Sequence, residues 1–305
     1  MHTTAGAAAG RHDAARGWLG DRSVARVGYG AMALEHFAED RAAGAALLRT
    51  ARDLGVDHVD TADFYGDGVA NDVVRRAFGR SEDVLVVTKV GARRVDGDVP
   101  LALAQRPDEL RQQVQENLRH LDRERLDVVN LRRADVGPGL VAEGDQLVDL
   151  DDQLAVLTAL RDEGLIGAIG MSAVTDEVLR RALPAGIACV QNAYSLVDRH
   201  HGVVFDTCRA HGVAWVPYFP LGGAFPGSPK VTEQPVVQEA AAALGVTPAQ
   251  VGLAWLLQQG GDVLLIPGTT SDVHLRENVA SATVDLGEWS TALDAARIGD
   301  AASTA

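Results

Sequence analysis

The sequence has little cysteine, few aromatic residues and no apolar run long enough to span a bilayer. Its two cysteines, Cys189 and Cys208, form neither a Cys-x-x-Cys pair nor a metal-ligand pattern, and no zinc spacing is found among the histidines. Residues 1–15 lack the basic start and apolar core of a signal peptide. We therefore expect no metal, a reduced cytoplasmic location, a mobile N-terminal tail over residues 1–15, and one domain over residues 16–305.

Basic residues are also scarce relative to acidic ones. The chain has 28 Lys and Arg against 42 Asp and Glu, which gives a formal net charge of -14 and a pI near 5.0. Such a surface repels nucleic acids and anionic membranes, so neither is an expected partner. A small molecule is the expected partner, and the oligomeric state stays open.

What the chain does have is an alternation of apolar strands and helices along 305 residues, with 47% hydrophobic residues for a large core. Eight segments are typical of strands: 24–32, 58–62, 84–90, 126–131, 166–171, 188–194, 214–218 and 263–266. The pattern predicts an α/β fold, a single-domain (β/α)8 TIM barrel. An open doubly wound sheet would also alternate, but no Gly-x-Gly-x-x-Gly turn follows an early strand.

Helix boundaries are predicted from capping residues and prolines. Asp40 and Thr175 are expected N-caps, and Asp151 or Asp152 is expected to cap the helix that ends near residue 163. Pro107 suits the first turn of another helix. Three loops, at 91–105, 134–148 and 222–235, are long enough to shape a binding pocket.

Three polar residues stand at the ends of buried strands. Asp60 ends the second predicted strand, Tyr65 follows in a glycine-marked loop, and Lys89 lies at the end of the third strand. Chemistry in an α/β barrel collects at the carboxyl ends of the strands. Asp60, Tyr65 and Lys89 are therefore candidates for one catalytic site. Taken singly, each has a structural alternative, as a backbone partner, a loop anchor or a solvated strand end.

The sequence around these residues resembles the aldo-keto reductase family. The similar motifs extend over nearly the whole chain and include Asp60-Thr61-Ala62, Tyr65-Gly66, Thr88-Lys89, Gly170-Met171-Ser172, Val190-Gln191-Asn192-Ala193-Tyr194, Ile266-Pro267-Gly268-Thr269 and His274-Leu275-Arg276-Glu277-Asn278. The resemblance implies a (β/α)8 barrel that reduces carbonyls with a nicotinamide cofactor, usually NADPH. Two further segments, 90–94 and 128–132, resemble the subgroup that contains bacterial pyridoxal reductases.

The resemblance assigns four catalytic positions. Tyr65 would donate a proton to the carbonyl oxygen, Lys89 would lower the pKa of that tyrosine, and Asp60 would keep the lysine charged and oriented. Arg132 stands where the family usually has a histidine. Because arginine stays charged, we expect it to donate hydrogen bonds to the substrate rather than carry a proton. The alternative is a structural ion pair with Asp135 or Glu143.

The resemblance also assigns a set of cofactor-binding residues. Ser172 and Gln191 would hold the nicotinamide carboxamide, with Asn192 as an adjacent candidate, and Tyr218 would stack on the ring. The strand end at Gly30, Ala31 and Met32 would allow a close approach. The pyrophosphate is assigned to Phe219, Leu221 and Gly222, and the adenosine 2'-phosphate side to Gly268, Thr269, Thr270, His274, Arg276, Glu277 and Asn278. Gly268 stands where the family usually has a lysine.

The sequence therefore predicts an NADPH-dependent reductase of aldehydes or ketones, with pyridoxal-like aromatic aldehydes as candidate substrates. Two other classes stay open. Some members of this family serve as cofactor-binding regulatory subunits with little catalysis, and the same barrel also supports isomerases and lyases. Intact Asp60, Tyr65 and Lys89 favour the reductase.

Overall fold

The computed structural model describes residues 16–97, 101–136, 140–223 and 227–296. The expected tail over residues 1–15 and the end of the predicted domain at 297–305 lie outside these ranges. In chain order the strands are β1 Arg16–Leu19, β2 Arg22–Ala25, β3 Tyr29–Gly30, β4 His58–Asp60, β5 Leu85–Val90, β6 Ala92–Arg94, β7 Leu101–Leu103, β8 Leu126–Arg132, β9 Ile166–Ser172, β10 Ile187–Gln191 and β11 Ala214–Trp215.

Seven of these strands form one curled parallel sheet, in the order β11-β10-β9-β8-β5-β4-β3. The segment 263–266, predicted as the eighth strand, forms single parallel bridges on both sides. Val263 pairs with Trp215 at one edge of the sheet, and Leu265 pairs with Val27 at the other. The same short segment therefore touches both edges of the seven-stranded sheet.

The helices lie between the strands of this sheet, as the alternation predicted. They are α1 Arg41–Asp53, α2 Val69–Phe78, α3 Pro107–Leu121, α4 Leu150–Asp162, α5 Asp176–Ala182, α6 Gly202–His211, α7 Pro235–Leu244, α8 Pro248–Gln258, α9 Asp272–Ala280 and α10 Trp289–Ala295. Within the described ranges no single helix has both the length and the hydrophobicity to cross a membrane. Only α7 and α8 taken together reach that threshold, and they meet at an angle of 97°.

The predicted caps are largely confirmed. Asp40 accepts a hydrogen bond from the backbone of Ala43, Thr175 accepts one from Val178, and Pro107 is the first residue of α3. The cap of α4 was predicted wrongly, because Asp149 rather than Asp151 or Asp152 holds the free backbone amide at that helix start.

The first predicted strand is also partly wrong. Residues 22–25 pair antiparallel with residues 16–19 in a hairpin, and the barrel strand itself is limited to β3. Gly20, with φ of 64°, allows the tight turn between the two hairpin strands. Ala31 and Met32, expected at the strand end, begin a 3-10 helix over Ala31–Phe37. The chain reverses at Gly20, before the predicted run, and an apolar run does not reveal that its first residues pair with the segment preceding it.

A separate apolar cluster fills the interior of the curled sheet. It includes Leu19 and Val24 from the N-terminal hairpin. Its members alternate along the strands, as expected when every second side chain points inward. They are Leu19, Val24, Leu85, Val87, Val128, Cys189, Ala214, Val216 and Leu264. Two residues further along the same strands come Lys89, Asn130, Gln191 and Tyr218. These polar side chains therefore point to the same side as the apolar cluster, but lie at the carboxyl end of the sheet.

All three predicted loops contain short ordered elements next to this end. In loop 91–105, β6 and β7 form an antiparallel hairpin with Ala92 opposite Leu103, and residues 98–100 lie outside the described ranges. Loop 134–148 includes a 3-10 turn over Gly144–Gln146, and loop 222–235 includes one over Val231–Glu233. Residues 137–139 and 224–226 are not described.

Candidate active site

A buried ion pair lies at the carboxyl end of β4 and β5. Lys89 Nζ donates a hydrogen bond to Asp60 Oδ1, and the side chains are 7% and 3% exposed respectively. Nζ also donates to the carbonyl of Thr61 at 3.0 Å. Each of these charges is expensive to bury alone, so each depends on the other.

The ammonium of Lys89 is held in its charged form. Burial by itself disfavours the charge, but the negative charge of Asp60 and the neighbouring Tyr65 outweigh it and raise the pKa of Lys89 above 10.5. Lys89 Nζ lies 5.0 Å from the centre of the Tyr65 ring. A cation fixed beside a tyrosine stabilises the phenolate that a departing proton would leave.

Tyr65 sits in a tight turn that follows β4. Its backbone amide donates to the carbonyl of Ala62 at 3.1 Å, and Gly66 adopts a φ of 59°. A Cβ on Gly66 would lie 2.7 Å from Cβ of Glu35, so glycine is required there. The ring of Phe64 packs edge-on against Tyr65, with the centroids 5.2 Å apart.

Arg132, at the end of β8, lines the same cavity. Its guanidinium donates to the carbonyl of Arg133 at 3.3 Å, and burial lowers the pKa of Arg132 while Tyr218 and Tyr65 oppose the shift. The predicted structural alternative is wrong, because the residue paired with Asp135 is Arg133, at 2.7 Å. Among the described residues no carboxylate lies within 4 Å of the Arg132 guanidinium.

A buried amide clamp fixes the backbone behind Arg132. Gln105 Nε2 donates to the carbonyls of Gly91 and of Arg132, the latter at 2.7 Å. Gln153 Nε2 in turn donates to Gln105 Oε1 at 2.8 Å, and Gln153 Oε1 accepts from Arg133. A Cβ on Gly91 would collide with the Arg132 carbonyl, which explains this glycine. Sequence reasoning missed the clamp, since its members are far apart along the chain.

Gln191 and Ser172 are buried at the ends of β10 and β9, where they face the cavity. Gln191 Nε2 donates to Asp60 Oδ2 at 2.6 Å, whereas Gln191 Oε1 is buried without a hydrogen-bond partner. An unsatisfied buried acceptor is costly, so a donor from a bound molecule suits this position. The carboxamide of a nicotinamide ring carries such an NH2 group, and the predicted residues therefore fit that cofactor.

The adjacent candidate, Asn192, does not face the cavity. Its side chain accepts from the amide of Val174 at 3.1 Å and donates to the carbonyl of Val174 at 2.7 Å. Both ends of the side-chain amide are thereby used to hold the segment after β9. This prediction was wrong, because neighbouring residues of a strand point to opposite faces.

Two aromatic side chains form one wall of the cavity. Tyr218 and Phe219 pack edge to face with their centroids 5.1 Å apart, and both line the cavity. Burial raises the pKa of Tyr218, although the charge of Arg132 partly offsets the shift. Leu221 and Gly222 follow along the same wall. The rings of Tyr218 and Phe219 give an apolar surface against which a flat ring system could pack.

Two of the three predicted cofactor glycines, Gly30 and Gly268, are also required by backbone packing. A Cβ on Gly30 would collide with the carbonyl of Ile266, and one on Gly268 would lie 2.5 Å from the carbonyl of Gly30. The two backbones touch, so each position requires glycine for packing. The absence of the family lysine at Gly268 has the same cause, because no side chain fits between these segments.

Most of the expected adenosine-side residues lie outside the cavity. Gly268 and Asn278 line it, whereas Thr269, Thr270, His274, Arg276 and Glu277 do not. Thr269 Oγ1 accepts from the amide of Ser271 at 3.0 Å, and Arg276 pairs with Asp272 at 2.9 Å. These residues surround the start of α9, next to the cavity rather than in it.

The cavity has a volume of about 540 Å³ and brings fifteen of the twenty predicted residues together. Those that line it are Gly30, Ala31, Met32, Asp60, Tyr65, Lys89, Arg132, Ser172, Gln191, Tyr218, Phe219, Leu221, Gly222, Gly268 and Asn278. Sequence reasoning missed Glu35, His36, Phe64 and Leu101. Phe64 adjoins a predicted residue, but no local pattern distinguishes the other three. Across the described ranges, no group of three His, Cys, Asp or Glu side chains could hold a metal.

Comparison with known proteins decides the family. Residues 26–292 match the model of the aldo/keto reductase family, which covers most of the chain. The chain belongs to the aldo/keto reductase family. It is therefore an oxidoreductase, and the resemblance drawn from the motifs is confirmed.

Two curated proteins are similar to this chain over most of its length. Pyridoxine 4-dehydrogenase of Escherichia coli (strain K12) is 43% identical over 277 residues, covering 88% of this chain and 93% of that protein. An uncharacterized oxidoreductase of Schizosaccharomyces pombe is 31% identical, covering 88% of this chain and 85% of that protein.

Two solved structures from Klebsiella pneumoniae, each 27% identical in sequence, share the fold. An aldo-keto reductase in complex with NADPH has a TM-score of 0.75 and covers 94% of this chain and 96% of that chain. An aldo/keto reductase in complex with NADP and acetate has a TM-score of 0.74 and covers 90% and 93% respectively.

Proposed function

We propose that this protein is an NADP-dependent reductase of aldehydes and ketones in which Tyr65 supplies the proton. The observation that carries the proposal is the placement of Tyr65 beside the buried Lys89–Asp60 pair in one cavity. NADP dependence is supported by the solved family members that hold NADP or NADPH and by the free acceptor on Gln191.

The chemistry divides between the cofactor and the chain. When bound, the reduced nicotinamide supplies a hydride to the carbonyl carbon. Tyr65 donates its proton to the carbonyl oxygen, and the adjacent Lys89 stabilises the phenolate that remains. Asp60 keeps Lys89 charged and directs it, through the hydrogen bond between them. Gln191 Oε1 accepts a hydrogen bond from the carboxamide, which orients the ring.

Pyridoxal-like aldehydes are the proposed substrates. The support is the 43% identity to pyridoxine 4-dehydrogenase together with the shape and charge of the cavity. Tyr218 and Phe219 offer a wall for an aromatic ring, and Arg132 offers a guanidinium that has no carboxylate partner among the described residues. A hydroxyl or phenolate next to the aldehyde would accept a hydrogen bond from Arg132.

We also propose that the sheet closes into a complete barrel. Residues 263–265 would be the eighth strand of a closed (β/α)8 barrel, supported by their bridges to Trp215 and Val27. Closure would leave the cavity at the carboxyl end of every strand, the position at which barrel enzymes bind substrates. The cytoplasmic location and the lack of a nucleic-acid partner stay predictions.

Oxidation of NADPH with pyridoxal, followed by absorbance, tests the proposal. Tyr65→Phe removes only the hydroxyl, so turnover should fall by roughly a hundredfold or more while NADPH still binds. Undiminished turnover in Tyr65→Phe would reject the proton donor. NADPH binding without turnover on any aldehyde or ketone in the wild type would instead support the regulatory-subunit alternative.

A further inference from the structure

The cavity contains two charges that the catalytic machinery leaves without a counter-ion. Asp60 and Lys89 neutralise each other, and Asp60 also accepts from Gln191. Arg132 and Glu35 are the other charged residues of the lining apart from the titratable His36. Arg132 donates only to a backbone carbonyl, and Glu35 has no hydrogen-bond or ion-pair partner among the described residues.

Glu35 is held close to the reacting centre by the local fold. It belongs to the 3-10 helix Ala31–Phe37, which directly follows β3, and it is half-buried. Its Cα and Cβ pack against Gly66, so closely that a Cβ there would lie 2.7 Å from Glu35 Cβ. Gly66 is the neighbour of Tyr65. The backbone of Glu35 is therefore fixed beside the turn that carries the proton donor.

The two free charges have opposite signs and face one cavity, yet no ion pair within 4 Å joins them within the described part of the chain. A cavity with a separated cation and anion is complementary to a zwitterion. A 3-hydroxypyridine-4-aldehyde carries a phenolate oxygen next to its aldehyde and a protonated nitrogen across the ring. A plain aromatic aldehyde carries neither charge.

We propose that Glu35 is a specificity-determining residue that recognises the ring nitrogen cation of a hydroxypyridine aldehyde, opposite the phenolate held by Arg132. This proposal rests on the proposed reductase function. Glu35 takes no part in the proton or hydride step. It favours a cationic ring over a neutral one by a charge-assisted hydrogen bond from the pyridinium N–H, or by charge attraction to a methylated nitrogen. Arg132 and Glu35 together determine which way the ring lies.

The test compares three aldehydes that carry both, or only one, of the two groups in question. Pyridoxal has both the hydroxyl and the ring nitrogen, salicylaldehyde has only the hydroxyl, and 4-formyl-1-methylpyridinium has only a fixed ring cation. Glu35→Gln keeps the length of the side chain and removes its charge. We expect it to lower kcat/KM about tenfold for pyridoxal and the pyridinium aldehyde, and to leave salicylaldehyde within about twofold.

The control is Glu39→Gln, an exposed carboxylate just after the same 3-10 helix and outside the cavity lining, which should change none of the three substrates. Equal losses on all three aldehydes, or no loss on the pyridinium aldehyde, would overturn the role of Glu35. Calorimetric binding of pyridoxine in the presence of NADPH, a pair that cannot react, separates this result from a failure of the reductase proposal. Glu35→Gln should weaken that binding about tenfold even if no aldehyde is reduced, and unchanged binding would reject the proposal.

Discussion

Gln191 Nε2 donates a hydrogen bond of 2.6 Å to Asp60 Oδ2, while Asp60 Oδ1 accepts from Lys89. A carboxylate only accepts hydrogen bonds, so Asp60 determines which end of the Gln191 amide faces it. The oxygen of that amide is thereby left for a donor on a ligand. One buried carboxylate thus orients both the lysine beside Tyr65 and the amide proposed for the cofactor.

Replacing Asp60 should destabilise the folded protein, because it leaves the buried ammonium of Lys89 without a partner. We expect Asp60→Asn to lower the free energy of unfolding by about 3–5 kcal/mol, because Lys89 keeps its charge without its partner. The double variant Asp60→Asn with Lys89→Met should recover part of that loss, as measured by urea denaturation. Losses that simply add would contradict a coupled pair.

The pH dependence of this pair follows from the raised pKa of Lys89. The stabilising contribution is complete below the unfolded value of 10.5 and is lost as the pH rises through the higher folded value. The stability difference between wild type and Lys89→Met should therefore stay constant from neutral to mildly alkaline pH. A difference that falls between pH 6 and pH 8 would show that the pair loses a charge in that range, which would contradict the raised pKa of Lys89.

Arg132 should matter for substrates with an acceptor beside the carbonyl. Arg132→Met keeps an unbranched apolar stem but removes the charge and the hydrogen-bond donors. We expect kcat/KM for salicylaldehyde to fall about tenfold or more, and benzaldehyde, which lacks the hydroxyl, to change much less. A uniform loss on both aldehydes would mean that Arg132 acts through Tyr65 or through the structure.

Cofactor preference should depend on the start of α9. Thr270, His274 and Arg276 are exposed next to the cavity rim, where they could bind a phosphate, although Arg276 is paired with Asp272. We expect NADPH to bind more tightly than NADH, and Arg276→Met to weaken NADPH about fivefold without affecting NADH. Titration by calorimetry measures both, and equal dissociation constants in the wild type would contradict the prediction.

The N-terminal hairpin should loosen in acid. Asp57 accepts from Arg16 at 2.6 Å and from the amide of Ala25 at 2.8 Å, which ties both hairpin strands to the sheet. Burial alone would raise the pKa of Asp57, but His58, Ala25 and Arg16 together lower it below 3.8. This stabilisation is present above the unfolded value and is lost as the pH falls through the folded one.

Asp57→Asn should remove this dependence of the stability on pH, because the amide does not titrate. At neutral pH we expect the variant to be about 1 kcal/mol less stable than wild type, with the difference narrowing as the pH drops below 4. Urea midpoints measured from pH 7 to pH 3 provide the comparison. A constant difference over that range would show that the Asp57 charge does not hold the hairpin.

The sequence by itself determined which residues stand at the carboxyl ends of the strands. Asp60 and Lys89 could be placed there because buried strands are apolar and continuous, whereas Arg132, Ser172 and Gln191 were located by the family resemblance. A polar residue that interrupts such a run has little packing reason to be there. The family resemblance added their roles. Local rules also placed most helix starts, since capping depends on neighbours along the chain.

Only the tertiary structure decided which of these residues meet. Asp60 and Gln191 are 131 positions apart, and the clamp of Gln105 on Arg132 joins two different strand ends. The backbones of Gly30 and Gly268 touch, so packing requires glycine at both of these predicted cofactor positions. The sequence also does not show that Glu35 lacks a counter-ion in the part of the chain that the structure describes. Such pairings depend on strand register and on loop conformation, which long-range packing sets and local patterns do not encode.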